Sequence, residues 1–426
     1  MVARNGVWII SAVSLCITRF ATCQTTPSPA PTIETVQRRA FDFFWRETNP
    51  ATGLTKDREK NAEGPDAGKS TVASIASTGY MLAALPIGVE RRWITRGQGY
   101  ARCLTTLRFV RGSLPNIHGF YYHFLDWRTG ARVWNCELSS IDSSLLVLGA
   151  IVSGEYWPNT EAQRLATQIA DRMDWRWMRT NGGAMPDEPA PAMGWDPTKG
   201  FLASRWRGYN EAACLYLLAM GIRQPRGISA DSWSRWSFPA VTEEGFPVFG
   251  GPAPIFMAQM TPGFFDLRGQ RDRQGRDWWT AWTNAHLADQ AYCARRTDNK
   301  TYAAGFWAIN ASDQPDGYGA ASPADGQNTG TVSPTGMLAG VLFTPERSRK
   351  ALADLWSLRD RIWGRYGFCN AFNLDKSWYD RDVIGIDLGM MLLATENHRT
   401  GVIWKLTERS AIARRGLRAA GFHRQR

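Results

Sequence analysis

At 426 residues, with 44% of them hydrophobic and 21% charged, the chain has ordinary globular composition and enough apolar material for a large core, which excludes a chain too polar to fold. The net charge of +11 raises nucleic acid or an acidic surface as partner, but the excess is spread along the chain, with one cluster at Arg409, Arg414, Arg415, Arg418, Arg424 and Arg426. No nucleic-acid motif accompanies it, so no nucleic-acid partner is expected.

Residues 1–23 carry Arg4, an apolar run from Val7 to Ile17, and Ala21-Thr22-Cys23 before Gln24. This reads as a secretory signal peptide cleaved near Cys23, since the run is too short to span a bilayer. Phe20-Ala21-Thr22-Cys23 fits a lipid-attachment box poorly, so a lipoprotein anchored at Cys23 is the lesser alternative. Residues 24–32 read as a Thr/Pro/Ser spacer, and no later stretch has membrane length. An exported chain, periplasmic or secreted, with no transmembrane segment in its mature form is expected.

One domain is expected over residues 33–410. Its first helix begins near Thr32, with Ile33, Val36, Ala40 and Phe44 on one face, and residues 49–54 form a turn. Residues 70–85, small and apolar, read as a closely packed helix; residues 95–110 read as another, ended by Gly112 and Pro115. The loop 118–126 follows. Glu137 to Asp142 then leads into a helix over 143–152, with Ser139 or Ser140 as N-cap. Residues 161–178 read as helical. Residues 208–221 read as a helix with Glu211 in its first turn, Leu215, Leu218 and Ala219 at helical spacing, and Gly221 as its stop. Ahead of it, Gly194-Trp195-Asp196-Pro197 and Arg205-Trp206-Arg207 make a loop of flat rings and charge. A Pro/Gly-rich stretch over 221–263 precedes a helix over 280–296, and residues 305–335 read as loop. Helices over 334–342, 345–361, 384–395 and 404–417 complete the chain, and residues 411–426 are expected to be a basic, solvated tail.

About a dozen helices separated alternately by short turns and long loops, with little strand-like alternation, predict an all-α protein. If the helices form successive antiparallel hairpins, the chain closes as an (α/α)6 toroid, a six-hairpin barrel with its long loops on one side. The 20 Trp, with 19 Phe and 12 Tyr, exceed what a core requires, and ring faces stack on the C–H faces of sugars. At least half of the Trp residues serve as core filler.

Cys103, Cys136, Cys214, Cys293 and Cys369 follow the leader cysteines Cys16 and Cys23; none forms C-x-x-C or has metal-like spacing with the 5 His. They are expected to be free or buried, outside any disulfide framework. The Asp residues of loop 313–325 lack EF-hand spacing, so no metal is expected there. No G-x-S-x-G elbow is present for Ser-His-Asp hydrolysis. A carboxylate carried by an aromatic loop onto a helix N-terminus suits sugar cleavage, although Glu211 there also has the simpler role of complementing the helix dipole. Glu137 and Asp142, at another helix start, share that ambiguity.

Several motifs together resemble the glucoamylase-like family of bacterial exported proteins, which includes endo-β-1,2-glucanases and is related to the glucan-processing domain of cyclic β-1,2-glucan synthases. They are Ser74-Ile75-Ala76-Ser77-Thr78-Gly79-Tyr80; His118-Gly119-Phe120-Tyr121-Tyr122-His123-Phe124 with Thr129-Gly130; Ser139-Ser140-Ile141-Asp142; and Trp206-Arg207-Gly208-Tyr209-Asn210-Glu211. Further along come Trp307-Ala308-Ile309-Asn310-Ala311-Ser312-Asp313 with Gly317-Tyr318; Tyr366-Gly367-Phe368; Ile384-Gly385-Ile386-Asp387-Leu388-Gly389; and Glu396-Asn397-His398-Arg399-Thr400-Gly401. The resemblance covers about residues 33 to 410. It implies an (α/α)6 toroid, action on a neutral glucan and no cofactor.

Glycosidic cleavage uses one carboxyl to protonate the leaving oxygen and a second to activate water or to attack. By resemblance Glu211 matches the family's general acid. Asp387 matches the terminal Ile-Gly-Ile-Asp signature as base, with Asp380 and Asp382 as alternates. The match also favours substrate contact for Asp142, with Glu137 beside it. His118 and His123 are candidates for contact with sugar hydroxyls, and Trp195, Trp206, Tyr209 and Trp378 for ring stacking. Arg207 and Arg399, the latter with Glu396, are candidates for hydrogen bonds to substrate or for fixing the carboxylates. Residues 139–143 depart from the segment typical of characterised endoglucanases, which leaves linkage and endo cleavage open. A glycoside hydrolase of β-1,2-glucanase type is the expectation. The competing readings are a retaining glucan transglycosylase, a noncatalytic glucan-binding envelope protein and a lyase acting on an anionic polymer.

Overall fold

Thr32 opens the first helix, Ile33–Arg46, by accepting the Thr35 backbone N–H, and Val36, Ala40, Phe43 and Phe44 bury its inner side. The protein is described here by a computed structural model covering Met1, residues 30–323 and residues 328–424. The expected signal peptide with Cys16 and Cys23, the spacer up to residue 29, residues 324–327 of the Asp-rich loop, and Arg426 lie outside the described residues.

Helices dominate, and the apolar ones form the centre. Ile75–Glu90, Ser140–Tyr156, Ala213–Gly221 and Gly385–Arg399 are buried almost all round, whereas Ile33–Arg46 and Glu161–Arg172 bury one face. Ile75–Glu90 packs against Ser140–Tyr156, and Ser140–Tyr156 against Ala213–Gly221. Gly385–Arg399, late in the chain, packs back against Ile75–Glu90, so the last inner helix meets the first. Two glycines allow the tightest of these crossings. A Cβ on Gly149 would stand 1.9 Å from the carbonyl oxygen of Gly79, and one on Gly79 would stand 2.4 Å from that of Leu145.

The strands are two to four residues long, below the length at which alternation shows in a sequence. Residues 118–126, expected as loop, hold the strands Phe120–Tyr122 and Phe124–Asp126. The first joins a five-stranded antiparallel sheet that runs through Leu138–Ser139 and Gly194–Asp196, pairing Leu138 with Trp195. Val72–Ser74 pairs with Phe124–Asp126, so the helix expected from residue 70 begins only at Ile75. Arg58–Lys60 pairs antiparallel with Asp382–Ile384, and Asp313 lies opposite Tyr318 in a hairpin within the expected loop 305–335.

Other boundaries also differ from expectation: the helix over 345–361 breaks at Leu358 and that over 404–417 at Ser410. The helix over 161–178 is broken at Met173, after which Asp174 caps a second helix, Trp175–Thr180, by accepting the Trp177 N–H. Ala213, rather than residue 208, begins the next inner helix. Residues 411–426 are no solvated tail through most of their length. Ala411–Ala420 is a helix against Ala213–Gly221, so close that a Cβ on Gly416 would meet the Leu217 carbonyl oxygen at 1.9 Å. Four of the five described cysteines outside the leader are buried free thiols, and Cys136 is partly buried. Among the described residues, no helix is long and apolar enough to cross a membrane.

Candidate functional site

A short strand precedes each of three inner helices and sets its N-terminus beside the others. Ile75 N–H bonds the His123 carbonyl, Ser140 N–H the Met193 carbonyl, and Gly385 N–H the Asp57 carbonyl. Asp142 and Asp387 are each the third residue of their helix. Glu211 stands two residues ahead of the Ala213 helix rather than in its first turn, because Asn210 folds the segment. Its Oδ1 accepts the Ala212 N–H at 2.9 Å, and its amide donates to the Arg207 and Gly208 carbonyls at 3.2 Å. This side-chain turn competes successfully with the helix.

His123 lies between two carboxylates, with Nδ1 3.1 Å from Glu137 and Nε2 3.5 Å from Asp142. Burial opposes its charge, but Asp142, the hydrogen bond and charge of Glu137, and Asp57 lift its pKa to about 9. The same hydrogen bond holds Glu137 below the usual carboxylate range. Ser139 donates to Asp142 at 2.5 Å and caps its helix.

On the other side, Arg58 forks onto both oxygens of Asp313 at 3.0 and 2.9 Å and reaches Asp57 at 3.2 Å. Asn370 donates to Asp387 at 2.7 Å and accepts the Asp313 N–H at 2.9 Å, tying the two acids together. Burial raises Asp57 despite Arg58. Burial, with the charges of Asp313 and Asp57, raises Asp387 to about 7 against the Asn370 bond and Arg58. Glu211 also reaches about 7, through burial and the charge of Asp142. Helix N-termini favour carboxylate anions, so at Glu211 and Asp387 desolvation outweighs the dipole.

Asp380 and Asp382 stand at the edge of this set. Asp382 pairs with Lys60 at 2.6 Å, and burial with the Asp313 charge keeps the Asp380 carboxyl raised. Asp313, Asp380 and Asp382 offer one oxygen each within 4.8 Å of one another, a spacing compatible with a hard cation. Arg58 and Lys60 already supply positive charge at two of the three.

The remaining candidates divide. Trp195 is half-buried against Trp177, with ring centroids 5.9 Å apart. Tyr209 is half-buried against Phe238 and Phe249 and lines a hollow of about 110 Å³ with Val248 and Ile255. Trp378 and Asp380 line a more open hollow with Arg361. Trp206 is not a free platform: it is 5% exposed, and its indole N–H donates to Ser140 Oγ at 2.8 Å, fixing the Glu211 loop to the Asp142 helix. Arg207 pairs with buried Glu188, not with Glu211. Glu396 and Arg399 are far from the acids, at the opposite end of the Asp387 helix. Nine residues at 1.5 Å each put Glu396 roughly 13 Å along the axis. There Glu396 takes a fork from Arg91 at 2.9 and 2.8 Å and a bond from Gln37, while Arg399 donates to Gln37 and Glu34. His118 stacks on Trp177 at 4.4 Å.

Sequence reasoning overlooked Asp57, Arg58, Lys60 and Asn370. Residues 56–60, Lys-Asp-Arg-Glu-Lys, look like a solvated charge run. Lys56 and Glu59 are in fact buried and paired at 2.5 Å, which holds Asp57 and Arg58 toward the acids. The alternating signs in so short a run were the available signal.

Residues 203–411 match the family model described as "Glycoamylase: Putative glucoamylase". The chain is 25% identical over 413 residues to the exo-β-1,2-glucooligosaccharide sophorohydrolase (non-reducing end) of Parabacteroides distasonis, a match covering 88% of this chain and 55% of that protein. The chain thus spans little more than half the length of that relative. Its fold matches a "putative glucoamylase" of Bacteroides fragilis with a TM-score of 0.83 and 26% identity, covering 94% of this chain and 100% of the other. It also matches an endo-β-1,2-glucanase of Chitinophaga pinensis, solved with sophorotriose and glucose, with a TM-score of 0.83 and 24% identity over 92% of this chain and 99% of the other. The resemblance to the glucoamylase-like family, with β-1,2-glucanases among the relatives, holds.

Proposed function

We propose that the chain is a glycoside hydrolase that cleaves β-1,2-glucan by general acid and base catalysis, with Glu211 as acid and Asp387 as base, on an (α/α)6 toroid. The observation that carries this is a pair of desolvated carboxyls, part-buried Glu211 just ahead of the Ala213 helix and buried Asp387 in the first turn of its own, each raised to about 7. Around pH 7 each is divided between its two forms. The productive arrangement pairs protonated Glu211, which the Asp142 charge favours, with ionised Asp387, which Arg58 and the Asn370 hydrogen bond favour against burial and the charges of Asp313 and Asp57. Glu211 then protonates the glycosidic oxygen as the bond breaks, and Asp387 takes a proton from the attacking water. Asp142, Glu137 and His123 form a hydrogen-bonding wall beside Glu211 suited to sugar hydroxyls. The toroid is supported by the return of the last inner helix onto the first, and the linkage by the β-1,2-glucan-cleaving relatives.

Export rests on residues 1–23 and is checked by N-terminal sequencing of the chain recovered from the cell envelope and medium. The activity is checked by product chromatography with linear β-1,2-glucan, starch and mixed β-1,3/1,4-glucan, using the wild-type chain and Glu211→Gln. Oligosaccharides from β-1,2-glucan are expected, with a loss of about 10²–10⁴-fold in Glu211→Gln. Products from starch alone would overturn the linkage, and equal turnover by both forms would overturn Glu211 as the acid.

A further inference from the structure

The loop 132–136 holds an indole in the open. Trp134 is 69% exposed, the most exposed aromatic side chain among the described residues. Single exposed apolar residues are common and need no explanation, but the backbone here is unusual. Trp134 has φ 55° and its neighbour Asn135 φ 51°, so two successive non-glycine residues occupy the left-handed region. Such conformations are disfavoured for a bulky side chain and persist where surrounding structure over-determines them, which is common at ligand clamps.

The loop is indeed over-determined. Arg132 donates to the Asn135 and Cys136 carbonyls at 2.5 Å and to Asp196 at 2.6 Å. Val133 N–H bonds the Phe124 carbonyl at 3.1 Å, and Phe124 N–H bonds Cys136 Sγ at 3.2 Å. None of these bonds buries the indole; all fix the turn that presents it.

The direction of presentation matters. The Trp134 ring meets the edge of Phe124, with centroids 5.1 Å apart at 61°. Phe124 stacks on His123 at 3.8 Å and 15°, and His123 touches both Glu137 and Asp142. A continuous row of rings therefore leads from the acid site to the exposed indole, and only two residues, Asn135 and Cys136, separate Trp134 from Glu137 in the chain.

We propose that Trp134 is a stacking platform for a glucosyl ring of the substrate, on the Glu137–His123 side of the carboxylates. It binds a sugar unit removed from the scissile bond. The indole face covers the axial C–H groups, and the flanking Glu137 and Asp196 accept from equatorial hydroxyls. This inference rests on the glucan-hydrolase reading above and adds to it a subsite that only longer chains reach.

The test is equilibrium titration of the full chain carrying Glu211→Gln with β-1,2-linked gluco-oligosaccharides of increasing length, alone and combined with W134A, W134Q or W134F. W134A and W134Q are expected to weaken the longest oligosaccharides by roughly 10-fold and leave the disaccharide unchanged, while W134F retains most of the affinity. In the otherwise wild-type chain, W134A should raise KM for long substrates with kcat nearly constant. Thermal midpoints report whether each variant is folded, and W134Q carries the test if W134A is not. Equal affinities at every length with and without Trp134 would overturn the platform and leave the hydrolase reading intact. If the Glu211→Gln chain with Trp134 in place binds no oligosaccharide, the hydrolase reading fails and the platform with it.

Discussion

Glu211 owes its raised pKa to burial and then to the charge of Asp142. A general acid works only while protonated, so the rate should fall as pH rises through about 7. Asp142→Asn removes the like charge, lowers the pKa of Glu211, and should move the alkaline limb of kcat/KM to lower pH. An unmoved limb would mean that Glu211 is not the group titrating there. His123 carries the opposite sign. Its folded pKa of about 9 lies above its ordinary value of 6.5, so the stability it contributes is complete below 6.5 and is lost as pH rises through 9. His123→Gln should therefore be less stable than wild type by on the order of 2–3 kcal/mol at pH 6.5. The gap should close by pH 10. Denaturant midpoints at the two pH values check this.

Asp142 and Asp387 share one local design: a short strand, a helix start and an acid at the third helical position. The sequence shows this only as two similar triplets, Ser140-Ile141-Asp142 and Gly385-Ile386-Asp387. The long inner helices were legible as apolar runs too long for a strand, and the outer ones, Ile33–Arg46 and Glu161–Arg172, from a 3.6-residue period that persists over three or more turns. The strands were not, since two to four residues cannot display a period of two. Glu211 was misplaced by two residues because the Asn210 side chain, not an apolar stripe, decides where its helix begins. Glu396 and Arg399 show a further limit: a motif in sequence does not reveal which end of a helix faces the site. The crossing of Ile75–Glu90 with Ser140–Tyr156 gives a prediction at this scale. Gly149→Ala puts a methyl against the Gly79 carbonyl and should cost at least about 2–3 kcal/mol, read as a lowered denaturant midpoint with unchanged slope. A neutral effect would mean that the two helices can separate freely.

The whole molecule is basic, and its proposed substrate is neutral. Binding to a neutral glucan releases no counterions and draws little from long-range steering, so KM should change less than about twofold between 50 and 500 mM salt. A steep salt dependence would favour an anionic polymer and the lyase reading. The helix Ala411–Ala420 is part of the body, not a tail. Ending the chain at residue 410 uncovers the Leu217 side of the helix that follows Glu211. A fall of roughly 5–10 °C in the thermal midpoint is expected from the lost burial of Ile412, Ala413 and Ala420.

The pairing of Arg58–Lys60 with Asp382–Ile384 joins segments more than 300 residues apart in the chain, and the Asp57 carbonyl receives the N–H that starts the Asp387 helix. During synthesis, the acid Glu211 emerges from the ribosome long before its proposed base. The seam that completes the site cannot form until almost all of the chain has been translated. A contact between such distant segments is slow to find, because the intervening loop must first be ordered. On the proposed chemistry, a nascent or prematurely released polypeptide holds Glu211 without its partner, and competence to cut appears at the same step that joins the two ends of the fold.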